Sequence, residues 1–258
     1  MLTPRRWSLD RDRTILLSGS AAIAGVAWWY LIRMAGRMPA SGHVHSHGSH
    51  LQPGLDTAAL FAMWTVMMVA MMLPSSLPFV LMFSAEQARR RTKQMTVAPA
   101  SFFVAGYFVM WTVFSGVCAL LQQALHGMSL LSPAMSATSS AFSGALLVAA
   151  GGYQWTPMKY ACLRHCRSPL TFLLSDWREG AAGAFRMGAG HGLFCIGCCW
   201  MLMLLPFAAG VMNLLWMAGI TVLLLLEKAA PGGEWMARAC GGVLVFLGAC
   251  VIIFRIVL

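Results

Sequence analysis

The sequence predicts an all-α fold, a polytopic transmembrane helix bundle of about seven helices with its N-terminus cytoplasmic and its C-terminus periplasmic. Three observations predict it. The 258 residues are 59% hydrophobic and only 10% charged, with a mean hydropathy of +0.71, a balance that soluble globular chains do not show. Apolar runs recur at about the 20-residue length that crosses roughly 30 Å of hydrocarbon. Basic residues collect in alternate inter-helix segments, as the positive-inside rule requires.

The first run, 14–32, follows Arg5, Arg6, Arg11 and Arg13. Its apolar core is too long for a signal peptide and Arg33 comes directly after it, so an uncleaved anchor is expected. A His-rich outer loop, 33–54, separates it from the second run, 56–83. Pro74 and Pro78 interrupt that run in "PSSLP", so it either kinks or stops near Leu73 with a re-entrant tail. The inner segment "RRRTK" follows. Runs at 100–125 and 137–155 precede a cytoplasmic loop, 156–186, which holds Lys159, Arg164, Arg167, Arg178 and Arg186. Runs at 187–210 and 213–229 form a tight hairpin, and Lys228 and Arg238 lie before the last run, 239–257. This order puts fifteen of the eighteen Lys and Arg residues inside, and residues 1–258 read as a single membrane domain.

The net charge of +10 is therefore a topology signal. No segment interleaves basic and aromatic residues on a soluble face, so the expected partner is the lipid bilayer and not nucleic acid. The chain has neither a phosphate-cradling glycine-lysine loop nor a serine nucleophile elbow. Its eight acidic residues lie near helix ends or in loops, which excludes two-carboxylate catalysis deep in the bundle and a hard-metal site of oxygen ligands. None of the eight cysteines falls in an outer loop, so a secreted-type disulfide framework is not expected.

The chemistry concentrates in "GHGLFCIGCCWMLMLLP", residues 190–206. At about 100° per residue, His191, Cys195 and Cys198 share one helical stripe that continues to Leu202, with Cys199 at its flank and Met201 and Met203 turned away. One imidazole and two or three sulfurs suit Cu(I), and zinc less well. The alternative is close helix packing, with cysteine as a small apolar residue beside Gly188 and Gly192 at small-xxx-small spacing. Any thioether ligand has to come from "WTVMMVAMMLPSSLP" on the second helix. There Trp64, Met68, Met71 and Ser75 share a face, flanked by Met67 and Met72, at a depth that lets Met68, Met71 and Met72 face the cysteines; gap-filling is the alternative.

Other signals are weaker. Cys162 and Cys166, at i and i+4 in "YQWTPMKYACLRHCRSP" with His165 between them, read as a hand-over site or as a pair packed at the membrane surface; a closed zinc site lacks the remaining ligands. His43, His45, His47 and His50 read as a labile collector of Cu(II), Ni(II) or Zn(II), or as a solvated linker. Cys118 shares a face with Gln122 and His126, while Cys240 and Cys250 read as packing. Glu227 and Lys228 in "LEK" read as a snorkelling helix stop, with an ion relay as the sharper alternative.

The strings "WTVMMVAMMLPSSLP", "YQWTPMKYACLRHCRSP", "CIGCCWMLMLLPFAAGVMNLLWMAG" and "LEK" resemble, in the same order, the signature segments of a bacterial family of predicted metal-binding integral membrane proteins, some members of which are labelled copper chaperones. The resemblance covers roughly residues 55–250. It implies a multi-pass inner-membrane protein that binds metal, copper before others. It carries over onto Met67–Met72 with Pro74, onto Cys162 and Cys166, and onto Cys195, Cys198 and Cys199, but not onto the histidines at 43–50.

The expected function is membrane metal binding, with Cu(I) held through Cys, Met and His for transfer, delivery or transport. The ion would pass to or from an apo-cuproprotein or a periplasmic metal chaperone. The expectation is a carrier or chaperone and not an enzyme, since the sequence shows no nucleotide-binding domain to drive pumping. Two alternatives stand beside it: a membrane thiol-disulfide oxidoreductase using Cys195 and Cys198 as a CxxC pair, and a non-catalytic assembly subunit whose cysteines pack.

Overall fold

Helices follow from the length of the apolar runs, because a backbone surrounded by hydrocarbon must satisfy its own N–H and C=O groups. The computed structural model describes residues 4–36, 57–132, 135 and 137–255. In chain order its helices are α1 (Pro4–Ala35), α2 (Thr57–Arg91), α3 (Ala100–Gly127), α4 (Ser140–Tyr153), α5 (Pro157–Arg167), α6 (Pro169–Ser175), α7 (Gly180–Leu204), α8 (Pro206–Ala209), α9 (Leu214–Ala229) and α10 (Gly233–Phe254). Among the described residues there is no strand, only a β-bridge between Leu131 and Ala137.

Among the described residues, five segments are long and apolar enough to cross a membrane: Arg13–Ala35, Thr57–Arg91, Ala100–Gly127, Gly180–Ala209 and Gly233–Phe254. The expected count of seven is corrected by α4 and α9, which have 14 and 16 residues. At about 1.5 Å per residue they rise only about 21 and 24 Å, short of roughly 30 Å of hydrocarbon. Local signals set where each one starts. Ser139 caps α4 by accepting from the Ala141 N–H, and Asn213 caps α9 by accepting from the Trp216 N–H. The expected cytoplasmic loop 156–186 is likewise helical for most of its length: Thr156 accepts from the Lys159 N–H with Pro157 in the first turn, starting α5, and α7 begins at Gly180, ahead of the expected 187.

The second run neither ends at Leu73 nor turns back. α2 is one helix through Pro74 and Pro78. A proline at 74 cannot donate to the carbonyl of Ala70, and Trp28 of α1 supplies the missing donor, its Nε1 lying 3.2 Å from that oxygen.

α1 and α3 lie along α2, α7 lies along α3, α5 lies on α7, and α10 pairs with α4. Glycines allow the closest of these approaches. A Cβ on Gly188 would overlap the Phe103 carbonyl, and one on Gly192 would lie 3.0 Å from the Tyr107 oxygen, so α7 and α3 touch backbone to backbone at the small-xxx-small positions read from the sequence. Polarity is inverted relative to a soluble domain. Val113, Val117 and Leu120 on α3 and Phe246 and Ile253 on α10 are exposed, whereas Gln122, Gln154, Lys159, His191 and Glu227 are buried.

Candidate functional site

The α7 stripe packs inward as its helical phase predicts: Cys195, Cys198 and Cys199 are each buried to 1% exposure or less. Cys198 and Cys199 sit one turn beyond Cys195, and each thiol donates to the Cys195 carbonyl, at 3.1 and 2.8 Å. Local back-bonding of this kind turns those two sulfurs along the helix. The Cys195 sulfur lies among the other thiols and also meets two polar groups from outside α7. Lys228 Nζ of α9 lies 3.1 Å from it and also donates to Ser75 Oγ of α2 at 3.0 Å, while the Tyr107 hydroxyl of α3 lies at 3.2 Å. One sulfur is thus held by groups from α3 and α9, and Lys228 extends the link to α2.

α5 brings two more cysteines to this layer. Cys166 is buried with its sulfur 3.9 Å from that of Cys198, and Cys162 packs against Gly197, where a Cβ would lie 2.7 Å from its sulfur. Hydrogen bonding to Cys195 and Cys198, together with burial, holds the Cys166 thiol well above the usual range, and burial pushes the Cys162 thiol up. His165 turns away, stacking on Phe194 at 4.2 Å with its Nδ1 at the Ala161 carbonyl. The cysteine pair of α5 and the cysteine stripe of α7, separate sites by sequence spacing, form one five-thiol layer.

Beside it lies a charged layer. Lys159 and Glu227, at 0% and 1% side-chain exposure, form an ion pair at 2.8 Å; Lys159 also donates to Gln154, whose Nε2 lies 3.4 Å from Glu227. Arg167 closes the end of α9 by donating to the carbonyls of Glu227, Ala230 and Pro231. This corrects the expectation of a snorkelling helix stop. Glu227 is buried and paired, and Lys228 points inward at Cys195 because the α9 terminus is covered by α5.

The remaining sequence candidates fare unequally. His191 is buried but faces aromatic rings, stacked on Phe79 at 3.7 Å and bordered by Tyr107, Phe103 and Phe172. Met68, Met71 and Met72 are buried in the same core as the three α7 cysteines. The links from α2 to the site run through Ser75 and through the Met72 carbonyl, 3.5 Å from the Tyr107 hydroxyl. His43, His45, His47 and His50 lie outside the described residues. Among the described residues, no three His, Cys, Asp or Glu side chains are grouped so as to hold a metal ion in the present arrangement.

Sequence reasoning missed Tyr107 and Gln154; it placed Ser75 on the α2 face without a role and read Lys159 only as a topology charge. A tyrosine within an otherwise apolar helix and a lysine that follows a Thr-Pro helix start were the available signals.

The arrangement therefore offers soft sulfur donors from two helices, buried surroundings and the ammonium of Lys228 against one of the sulfurs. Comparison with known proteins agrees with that chemistry. No curated protein and no solved structure matches the chain. The family model PpoB2, described as "Copper chaperone", matches residues 61–251, which takes in α3 to α9 and nearly all of α2 and α10. This chain belongs to that copper chaperone family.

Proposed function

We propose that the protein binds Cu(I) as cargo in the five-thiol layer and passes it to or from an apo-cuproprotein or a periplasmic metal chaperone, acting as a carrier and not as an enzyme. The observation that carries this reading is the convergence of Cys162 and Cys166 on α5 with Cys195, Cys198 and Cys199 on α7, with the Cys166 and Cys198 sulfurs 3.9 Å apart. Rotation of Cys198 and Cys199 off the Cys195 carbonyl turns these sulfurs toward a common ion, and thiolates at low coordination number suit Cu(I), with zinc the second choice. Met68, Met71 and Met72 border the layer as exchangeable thioethers, and His191 shapes its wall. Arg5, Arg6, Arg11 and Arg13 before the first crossing and Arg89, Arg90, Arg91 and Lys93 after the second favour a bacterial inner-membrane orientation with the N-terminus in the cytoplasm, and five crossings then leave the C-terminus in the periplasm. In that orientation the outer histidines His43, His45, His47 and His50 would collect the metal.

Anaerobic purification with copper quantified by mass spectrometry, and Cu–S distances by X-ray absorption, test this reading. Wild-type protein should hold copper through sulfur, and the C195S/C198S/C199S variant should lose it; a wild type free of copper after Cu(I) loading would refute the idea. The Cys166–Cys198 distance also favours a second reading, thiol-disulfide exchange between α5 and α7. A disulfide mapped between these two residues, cycling in a metal-free protein, would select it.

A further inference from the structure

Four buried side-chain polar atoms lack a partner among the described residues, and three of them belong to α3: Trp111 Nε1, Gln122 Nε2 and His126 Nε2. Trp111 and Gln122 are 1% and 0% exposed. Together with Ser115 and Cys118, also fully buried, they stand at 111, 115, 118, 122 and 126, the spacing of a single helical stripe. The stripe begins one turn past Tyr107, which touches Cys195, and it runs about 22 Å toward the far end of α3 at about 1.5 Å per residue. An N–H group buried in apolar surroundings without an acceptor is costly enough that such groups are met by water or by a ligand.

The neighbours of this stripe are soft. Gln122 Oε1 accepts from Trp64 Nε1 at 2.7 Å, which fixes its amide between α2 and α3 and leaves the NH₂ group over, one turn from Cys118. The Thr57–Gln123, Trp64–Gln122 and Tyr107–Met72 contacts set an antiparallel register. In that register Cys118 falls at the level of the α2 turn that contains Met63, Met67 and Met68, all buried in its own core cluster.

We propose that this stripe is a hydrated pocket between α2 and α3, and that Cys118 is a second soft-ion site within it. It takes a monovalent ion, Cu(I) or its analogue Ag(I), with a methionine of the facing α2 turn as second ligand. The site deepens the copper-carrier reading, on which it rests, by supplying a station between the His126 end of the bundle and the thiol layer at Cys195. Two sulfur ligands satisfy a soft monovalent ion, binding releases the Cys118 thiol proton to the pocket water, and the Trp111 and Gln122 N–H groups hold that water in place.

The test uses wild-type protein in lipid vesicles. It is exposed on both faces to the cationic, membrane-impermeant reagent methanethiosulfonate-ethyltrimethylammonium, with and without Ag(I), and adducts are assigned to each cysteine by mass spectrometry. The expected result is an adduct on Cys118 that Ag(I) abolishes and that Gln122→Leu diminishes. Absence of a Cys118 adduct shows a dry stripe and overturns the proposal, whatever lipid-soluble N-ethylmaleimide does. An adduct that forms equally fast with Ag(I) present overturns the ion site. Running the same assay on C195S/C198S/C199S separates the two readings: protection that persists at Cys118 while the thiol layer has lost its copper supports this site by itself, and copper held at the thiol layer with Cys118 unprotected removes this site alone.

Discussion

Lys228 puts an ammonium 3.1 Å from the Cys195 sulfur, where a soft cation bound to that sulfur would also have to sit. On the proposed binding of Cu(I) at Cys195, entry of the ion displaces Lys228 toward Ser75. Lys228→Met is expected to load Cu(I) faster than wild type in stopped-flow competition with a chelator. It should also lose about 2 kcal/mol of metal-free stability, the scale of a hydrogen bond from a charged group, read by denaturant unfolding; slower loading would refute displacement. Glu227→Gln acts differently, since it strands the fully buried Lys159. Breaking one side of a buried pair costs about 3–5 kcal/mol, and a neutral replacement of both partners restores much of it, so E227Q should be far less stable than E227Q/K159M in a double-mutant cycle. At this scale the sequence disclosed whatever depends on helical phase alone. The burial of Cys195, Cys198 and Cys199 was legible for that reason. The direction of Lys228 and the aromatic enclosure of His191 were not, because both depend on which helices lie opposite.

Between elements, the site depends on how closely α7 approaches α3. Tyr107 reaches Cys195 only because Gly188 and Gly192 let the two backbones meet. Gly188→Leu would press a side chain into the Phe103 carbonyl, and overpacking of this kind costs about 1–3 kcal/mol or forces the helices apart. Lower unfolding stability is expected together with weakened copper retention, whereas Gly19→Leu on α1, with no atom near its Cβ, should change neither. The glycine spacing was visible in the sequence. The fate of Pro74 was not, since a proline-interrupted apolar run can kink, stop or continue, and what decided it here was a tryptophan more than forty residues away that takes over the Ala70 carbonyl. The same reasoning explains the union of the two cysteine groups: helix phase orients Cys162 and Cys166 on α5, but only the fold of 156–186 into helices carries them onto α7.

At the scale of the molecule, the five long apolar helices found among the described residues enclose buried polar and thiol layers that α4, α5 and α9 complete. The apolar runs made that architecture readable; the run 213–229 was itself short, and Ser139 starts α4 three residues inside the run 137–155. In such a bundle a bound ion acts as a cross-link between α5 and α7, and a ligand that binds only the folded state stabilises it by mass action, about 2.7 kcal/mol when its free concentration is a hundredfold above Kd. Cu(I) should therefore raise the midpoint of thermal unfolding by several degrees, and a Cu(I)-specific chelator should reverse the gain. Cys166→Ser should forfeit part of it, because only the α7 sulfurs remain beside the half-buried Cys162. Cys250→Ser, on α10 and outside the thiol layer, should keep it whole. An equal shift in all three proteins would mean that copper binds away from the α5–α7 contact.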